Sequence, residues 1–246
     1  MDSQFKSLLQ LASHNQRVVV TALAAAVIGI PVFRFFLKDY RDYIAIGPGG
    51  PPHNILGYIT QMCFQPLRRE TCGTACYEDP KVIATSGPNG NAAFLSEQDI
   101  PERSPPRPIV GSWTVPSRQL TELADEHTKE SLASSSPSDL KIATSYAERH
   151  GPALFVVSSN PTHPVAKRTK GEIAHMHASD GSLHLNLAPK DAKLILERGW
   201  AERHPLSGVI LYIGLVMVYA PRGDEELKVV ERITRASAKF MLGEGV

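Results

Sequence analysis

Residues 173–187, IAHMHASDGSLHLNL, leave the chain little choice of local structure. Asp180-Gly181 is a strong two-residue hairpin signal, because a type I′ turn needs positive φ at both central positions and this pair adopts it at low cost. That turn predicts a register in which Ser179 opposes Ser182, His177 opposes His184 and His175 opposes Asn186. Strand side chains alternate, so the two faces follow directly. Ala174, Met176, Ala178, Leu183, Leu185 and Leu187 make an apolar face. Ile173, His175, His177, Ser182, His184 and Asn186 make the other. Such a hairpin must bury the first face and can offer the second as an active-site wall.

The flanking elements predict what covers the apolar face. Pro189 is well placed as the first residue of a helix through Leu194 and Ile195 to Arg198, stopped by Gly199. Residues 200–208, WAERHPLSG, read as a polar and aromatic loop. The run 209–220, VILYIGLVMVYA, reads as a central strand or strand pair, too short to span a bilayer. From Asp224 to Leu242 an amphipathic helix carries Leu227, Val230, Ile233, Ala236 and Phe240 on one stripe, with Asp224, Glu225 and Glu226 at its positive N-terminal end. Upstream, 140–147 and 153–158 suggest two further elements, the second a buried strand. Residues 54–67 suggest a helix on the core, and 68–108 irregular loops with one or two short strands. A strand near 107–115 and a helix over 117–132 complete the pattern. The order predicts an α+β fold, an antiparallel or mixed sheet packed by helices.

Val18 to Phe33 is an apolar run of sixteen residues between Arg17 and Arg34. Extended through Leu37 with Arg34 snorkelling, it approaches the length needed to span a bilayer. A membrane-anchor helix is the leading reading, with a signal peptide or a buried or interfacial helix as the alternatives. The chain then divides into a lead and anchor (1–37), a neck (38–53) ending at the Gly/Pro cluster 47–52, and a main domain (54–246). The excess of basic residues after the run and the three unpaired cysteines favour a main domain facing the cytosol.

Several chemistries are excluded on sequence grounds. A net charge of +1 gives no reason to expect a nucleic-acid partner. Cys72 and Cys76 lack the second pair that a zinc ribbon needs. The Gly/Pro cluster lacks the Lys and Ser/Thr of a phosphate loop. What remains is the imidazole face, and it leaves three readings open. His175, His177 and His184 could ligate a divalent metal. One of them could be a general base with the others as partners, kept neutral by nearby Arg203. The face could also be merely solvated. Arg203 and His204 are candidates to hold an anionic oxygen, and Asn186, Trp200 and Tyr219 to contact a planar ligand.

Three strings resemble the fungal luciferase family: GEIAHMH (171–177), GWAERHPLSG (199–208) and VYAPRGDEE (218–226). The neck DYRDYIAIGPGG (39–50) and the N-terminal apolar segment extend the similarity to most of the chain, although 72–138 shows no matching string. The resemblance implies an enzyme of the endoplasmic reticulum membrane, held by residues 18–37. It would add O2 to a 3-hydroxyhispidin-type hydroxypyrone, or a related phenolic, without an organic cofactor or recognised metal. The peroxidic intermediate then loses CO2 and leaves an excited product. On this reading His175, His177 or His184 takes the enol proton, and Arg203 and His204 stabilise the oxyanion. The alternatives are a metal-dependent enzyme at the same histidines and a non-enzymatic membrane-associated binding protein.

Overall fold

The computed structural model describes residues 16–48, 50–104, 139–157, 162–177 and 181–244. Six strands form one sheet in the order β1-β2-β3-β4-β6-β5, and every pair is antiparallel. They are β1 (Leu140–Thr144), β2 (Pro152–Val156), β3 (Glu172–Met176), β4 (Leu183–Asn186), β5 (Ala201–Arg203) and β6 (Leu215–Val218). The helices are α1 (Gln16–Ala45), α2 (Ile55–Phe64), α3 (Pro80–Thr85), α4 (Pro164–Arg168), α5 (Pro189–Glu197) and α6 (Asp224–Leu242). The architecture is α+β, as the sequence predicts.

Alternation in β3 and β4 decides which way the sheet packs. Ala174, Leu183 and Leu185 join Val216 and Val218 in the main core, where Val230, Ile233 and Phe240 of α6 and Ile195 of α5 meet them. Each fully buried Leu, Ile or Phe contributes about 1.5–3 kcal/mol, so this face anchors the domain. The opposite face carries the histidines. Helix α6 ends at Gly243, whose φ of 81° suits glycine and brings the Glu244 amide back to the Lys239 carbonyl at 3.0 Å.

The hairpin register differs from the sequence expectation by two residues. His175 pairs with His184 and Met176 with Leu183, and the His177 amide donates to the Ser182 carbonyl at 2.8 Å. Four residues, not two, therefore separate the last paired positions. Residues 178–180, which hold half of the expected turn, lie outside the described residues. A slip of two keeps pleat parity, so the described residues from Ala174 to Leu187 keep their faces, whereas Ile173, expected on the histidine face, joins the main core.

Residues 201–203, expected in a loop, form the edge strand β5. Only 215–218 of the apolar run 209–220 is strand. Because β5 and β6 are antiparallel partners, the residues between them must reverse the chain. The Leu206 carbonyl accepts the amides of Val209, Ile210 and Leu211, each at 3.2 Å, and makes that turn. No strand occurs between 68 and 104; Val82–Ala84 lies in α3. The strand near 107–115 and the helix over 117–132 fall outside the described residues.

Helix α1 runs 30 residues, unbroken across residue 37 and through Pro31. At 1.5 Å per residue it is about 45 Å long, and none of its most apolar window is buried. Helix α2 packs on the end of α1, not on the main core as expected. Tyr43 and Tyr58 make a separate cluster with Ile46, joined by Tyr40. The Tyr58 hydroxyl donates to Asp39, and that of Tyr43 to the Pro52 carbonyl, each at 2.9 Å. A Cβ on Gly57 would lie 1.7 Å from the Pro52 oxygen, so only glycine allows this approach of neck and helix.

Candidate active site

The polar face of the sheet floors a cavity of about 510 Å³. Its walls come from the neck (Tyr43, Ile46, Pro51), from Gln61 and Phe64 of α2, from the β1–β2 loop (Tyr146–Glu148), and from Pro205–Tyr212. The apolar run that fails to form a long strand thus supplies apolar walls. His175, His184, Asn186 and His204 all line the cavity, and His177 is buried beside them.

Cross-strand pairing and pleat parity bring the imidazoles together. Ring centroids are 5.4 Å apart for His175–His177 and for His175–His184, 4.7 Å for His177–His184 and 5.2 Å for His184–His204. One ring nitrogen from each of His175, His177 and His184 lies within 4.8 Å of the other two. The Nδ1 atoms are engaged elsewhere: with Glu172 Oε1 at 2.6 Å (His175), Ser182 Oγ at 2.8 Å (His177) and the Val216 carbonyl at 3.2 Å (His184). A carbonyl can only accept, so His184 Nδ1 is protonated. His204 has the opposite tautomer, because its Nδ1 accepts the Leu206 amide at 3.1 Å.

Two carboxylates complete the cluster, and neither was legible as part of it. By simple alternation Glu172 belongs to the apolar face. A β-bulge intervenes: Leu154 pairs with Ala174 but Phe155 with Glu172, leaving Ile173 as the extra residue. The bulge turns Glu172 onto the histidine face, as such irregularities do. There it accepts His175 Nδ1–H, the Ser145 hydroxyl at 3.0 Å, and the amides of Tyr146 at 2.6 Å and Ala147 at 3.1 Å. Burial opposes its ionisation, but these bonds outweigh burial and hold the carboxyl below its ordinary range. Glu148, in the loop that Glu172 ties down, places Oε1 3.5 Å from His175 Nε2 and 3.7 Å from His177 Nε2. Burial favours the neutral His175 ring, yet Glu148 and Glu172 together raise its pKa. Two carboxylates, and not the expected Arg203, are the charged neighbours of this ring.

The structure takes three of the expected residues elsewhere. Arg203 pairs with Val216, and Val216 with Leu185, so pleat parity puts Arg203 on the face opposite the histidines. Its guanidinium donates to the Gly73 carbonyl at 3.1 Å, to Cys76 Sγ at 2.6 Å and to the Glu70 carbonyl. It clamps the loop before α3. Trp200 donates Nε1–H to the Pro101 carbonyl at 2.6 Å. Its ring and that of Tyr219 already have a planar partner, the Arg103 guanidinium, at 5.0 and 5.7 Å. Both aromatics therefore order the chain's own arginine and do not reach the cavity. Asn186 and His204 do reach it.

Such a site, an apolar cavity over a buried histidine–carboxylate cluster on an α+β sheet, defines an enzyme pocket for a small molecule. Comparison with known proteins agrees. The family profile described as "Luciferase domain" matches residues 170–237, the stretch that contributes β3 to β6 and most of the cluster. The chain is 32% identical to the luciferase of Neonothopanus nambi over 99% of its own length and 94% of the relative's. It is 34% identical to that of Armillaria mellea and 33% to that of Armillaria ostoyae, each over 94% of this chain and 90% of the relative. No solved structure matches. The chain belongs to the fungal luciferase family.

Proposed function

We propose that this protein is a luciferase-like oxygenase that adds O2 to a hydroxypyrone of the 3-hydroxyhispidin type, or a closely related enol. The observation that carries the reading is the placement of Glu148 and the imidazoles at the floor of an apolar cavity. An enol bound there loses its proton to a group with a carboxylate or imidazole acceptor within reach. Glu148 is the acceptor the geometry favours, since it lines the cavity beside the rings and can only accept when ionised, whereas His175 is already held between two carboxylates. His204, with Nε2 as its protonated nitrogen, is placed to donate to the resulting oxyanion. The electron-rich enolate carbon gives its electrons to O2, both oxygen atoms are bonded to the ring in an endoperoxide intermediate that takes the proton back from Glu148, and loss of CO2 from this intermediate releases the energy available for light. O2 is the oxidant, so the reaction calls for no organic cofactor. The apolar walls keep water from the intermediate.

The same reading makes α1 a membrane anchor through residues 18–37, with the enzyme domain at the cytosolic surface of the endoplasmic reticulum. The tyrosine cluster would then fix the cavity close to that surface, where a lipophilic enol concentrates. Incubating the full-length protein with a hydroxypyrone under O2, while following oxygen uptake and light, tests the reading. Stoichiometric uptake with CO2 release is expected. Tight binding without uptake would make the protein a binding module instead, and neither binding nor uptake would remove the substrate class.

A further inference from the structure

We infer that His175, His177 and His184 form a binding site for one divalent first-row transition-metal ion, with the Glu148 carboxylate at its edge. The inference rests on the geometry of the cluster and not on the choice of substrate. His175 and His177 are two apart on β3, and His184 is the cross-strand partner of His175 on β4. Three rigid backbone positions thus aim three rings at one point.

The tautomers decide what those rings present. His175 Nδ1 meets a carboxylate and His184 Nδ1 a carbonyl, so both donate, and His177 Nδ1 is held by Ser182. A neutral imidazole protonated at Nδ1 offers a lone pair at Nε2. Anchoring of the outer nitrogen by a carboxylate, a hydroxyl or a carbonyl is what metal-ligating histidines show. The Nε2 contacts of His175 and His177 with Glu148 are longer than made hydrogen bonds, at 3.5 and 3.7 Å. Two imidazolium rings at this spacing would repel. One cation among the three rings would draw their nitrogens and the carboxylate together.

A site with nitrogens up to 4.8 Å apart would close to about 3.0–3.4 Å between ligands around an ion at 2.0–2.1 Å. Three imidazoles without thiolate select Zn2+, Fe2+, Co2+ or Ni2+ over Ca2+ and Mg2+. His175, His184, Glu148 and His204 all line the cavity, so the site adjoins it.

The test is metal content in untagged, full-length protein, followed by titration of chelator-stripped protein with Co2+, read by its visible absorption with circular dichroism as the fold control. One equivalent per chain is expected. His177→Ala and His184→Ala should each weaken uptake at least tenfold. Glu172→Gln, which removes the carboxylate that anchors His175 Nδ1, should weaken it roughly 10–100-fold. His150→Ala, outside the cluster, should leave the stoichiometry at one. The inference is overturned if folded wild-type protein takes up no Co2+, Zn2+ or Fe2+ at millimolar concentration, or if uptake is unchanged in both histidine variants. The wild-type titration decides even where an alanine variant does not fold. Oxygen uptake by the stripped protein keeps the two proposals distinguishable: turnover there supports the oxygenase reading whatever the titration gives, and a titration without metal uptake removes the site whatever the turnover.

Discussion

The two faces of β3 and β4 are made by the same backbone and do opposite work. On one side Ala174, Leu183 and Leu185 pack in the main core with Val230, Ile233 and Phe240 of α6. On the other, each histidine has a specific hydrogen-bond partner, and a carboxylate that alternation assigns to the apolar side has been turned over to join them. The apolar face tolerates similar residues of equal volume, because burial is non-directional. The polar face does not, because a buried polar group costs energy unless its partner stands at the right distance and angle. Stability and chemistry are therefore separable here, and substitutions can show it.

The largest expected effect is on the polar side. Glu148→Gln keeps size and removes the proton acceptor, so oxygen uptake should fall about 10²–10⁴-fold while the urea midpoint barely moves. A fall in midpoint of matching size would mean that Glu148 is structural. Ile233→Ala, fully buried on α6, is the converse: a loss of about 2–5 kcal/mol in urea unfolding, with turnover per folded molecule unchanged.

Arg203→Met tests the face assignment itself. It should cost about 1–3 kcal/mol by freeing the carbonyls of the 70–76 loop, and leave KM for the enol unaltered. A specific rise in KM without loss of stability would return Arg203 to the site.

The smallest effect concerns Asp191, fully buried on α5, which accepts the Phe94 and Leu95 amides. Burial pushes its pKa up to about 6 from 3.8. The folded state then binds the proton more tightly than the unfolded one, so this contribution is complete below pH 4 and is lost as pH rises through 6. Asp191→Asn should flatten that decline, seen by comparing urea midpoints at pH 4.5 and pH 7.

Most of the scaffold was legible because its signals are local. Pro189 and Gly199 bracket α5, and the stripe from Leu227 to Phe240 marks α6. The faces of the hairpin withstood a register error of two, since period-2 alternation is blind to even slips. The site was legible in part. His175, His184, Asn186 and His204 line one cavity with His177 beside them, but Glu148 carried no usable signal and alternation put Glu172 on the wrong face. Glu148 sits in a loop near no other candidate in the sequence, and the bulge at Ile173 has no residue signature. Arg203 misled because adjacency to His204 looks like proximity, whereas neighbours on a strand point apart.

The sequence by itself determined the composition of each face, the ends of the helices and the apolar helix at the N-terminus, because propensity, capping and alternation act over a few residues. Only the tertiary structure decided which charges meet the imidazoles. Strand order, one extra residue in β3 and the path of the β1–β2 loop set that, through contacts between residues far apart in the chain, and no local pattern encodes them.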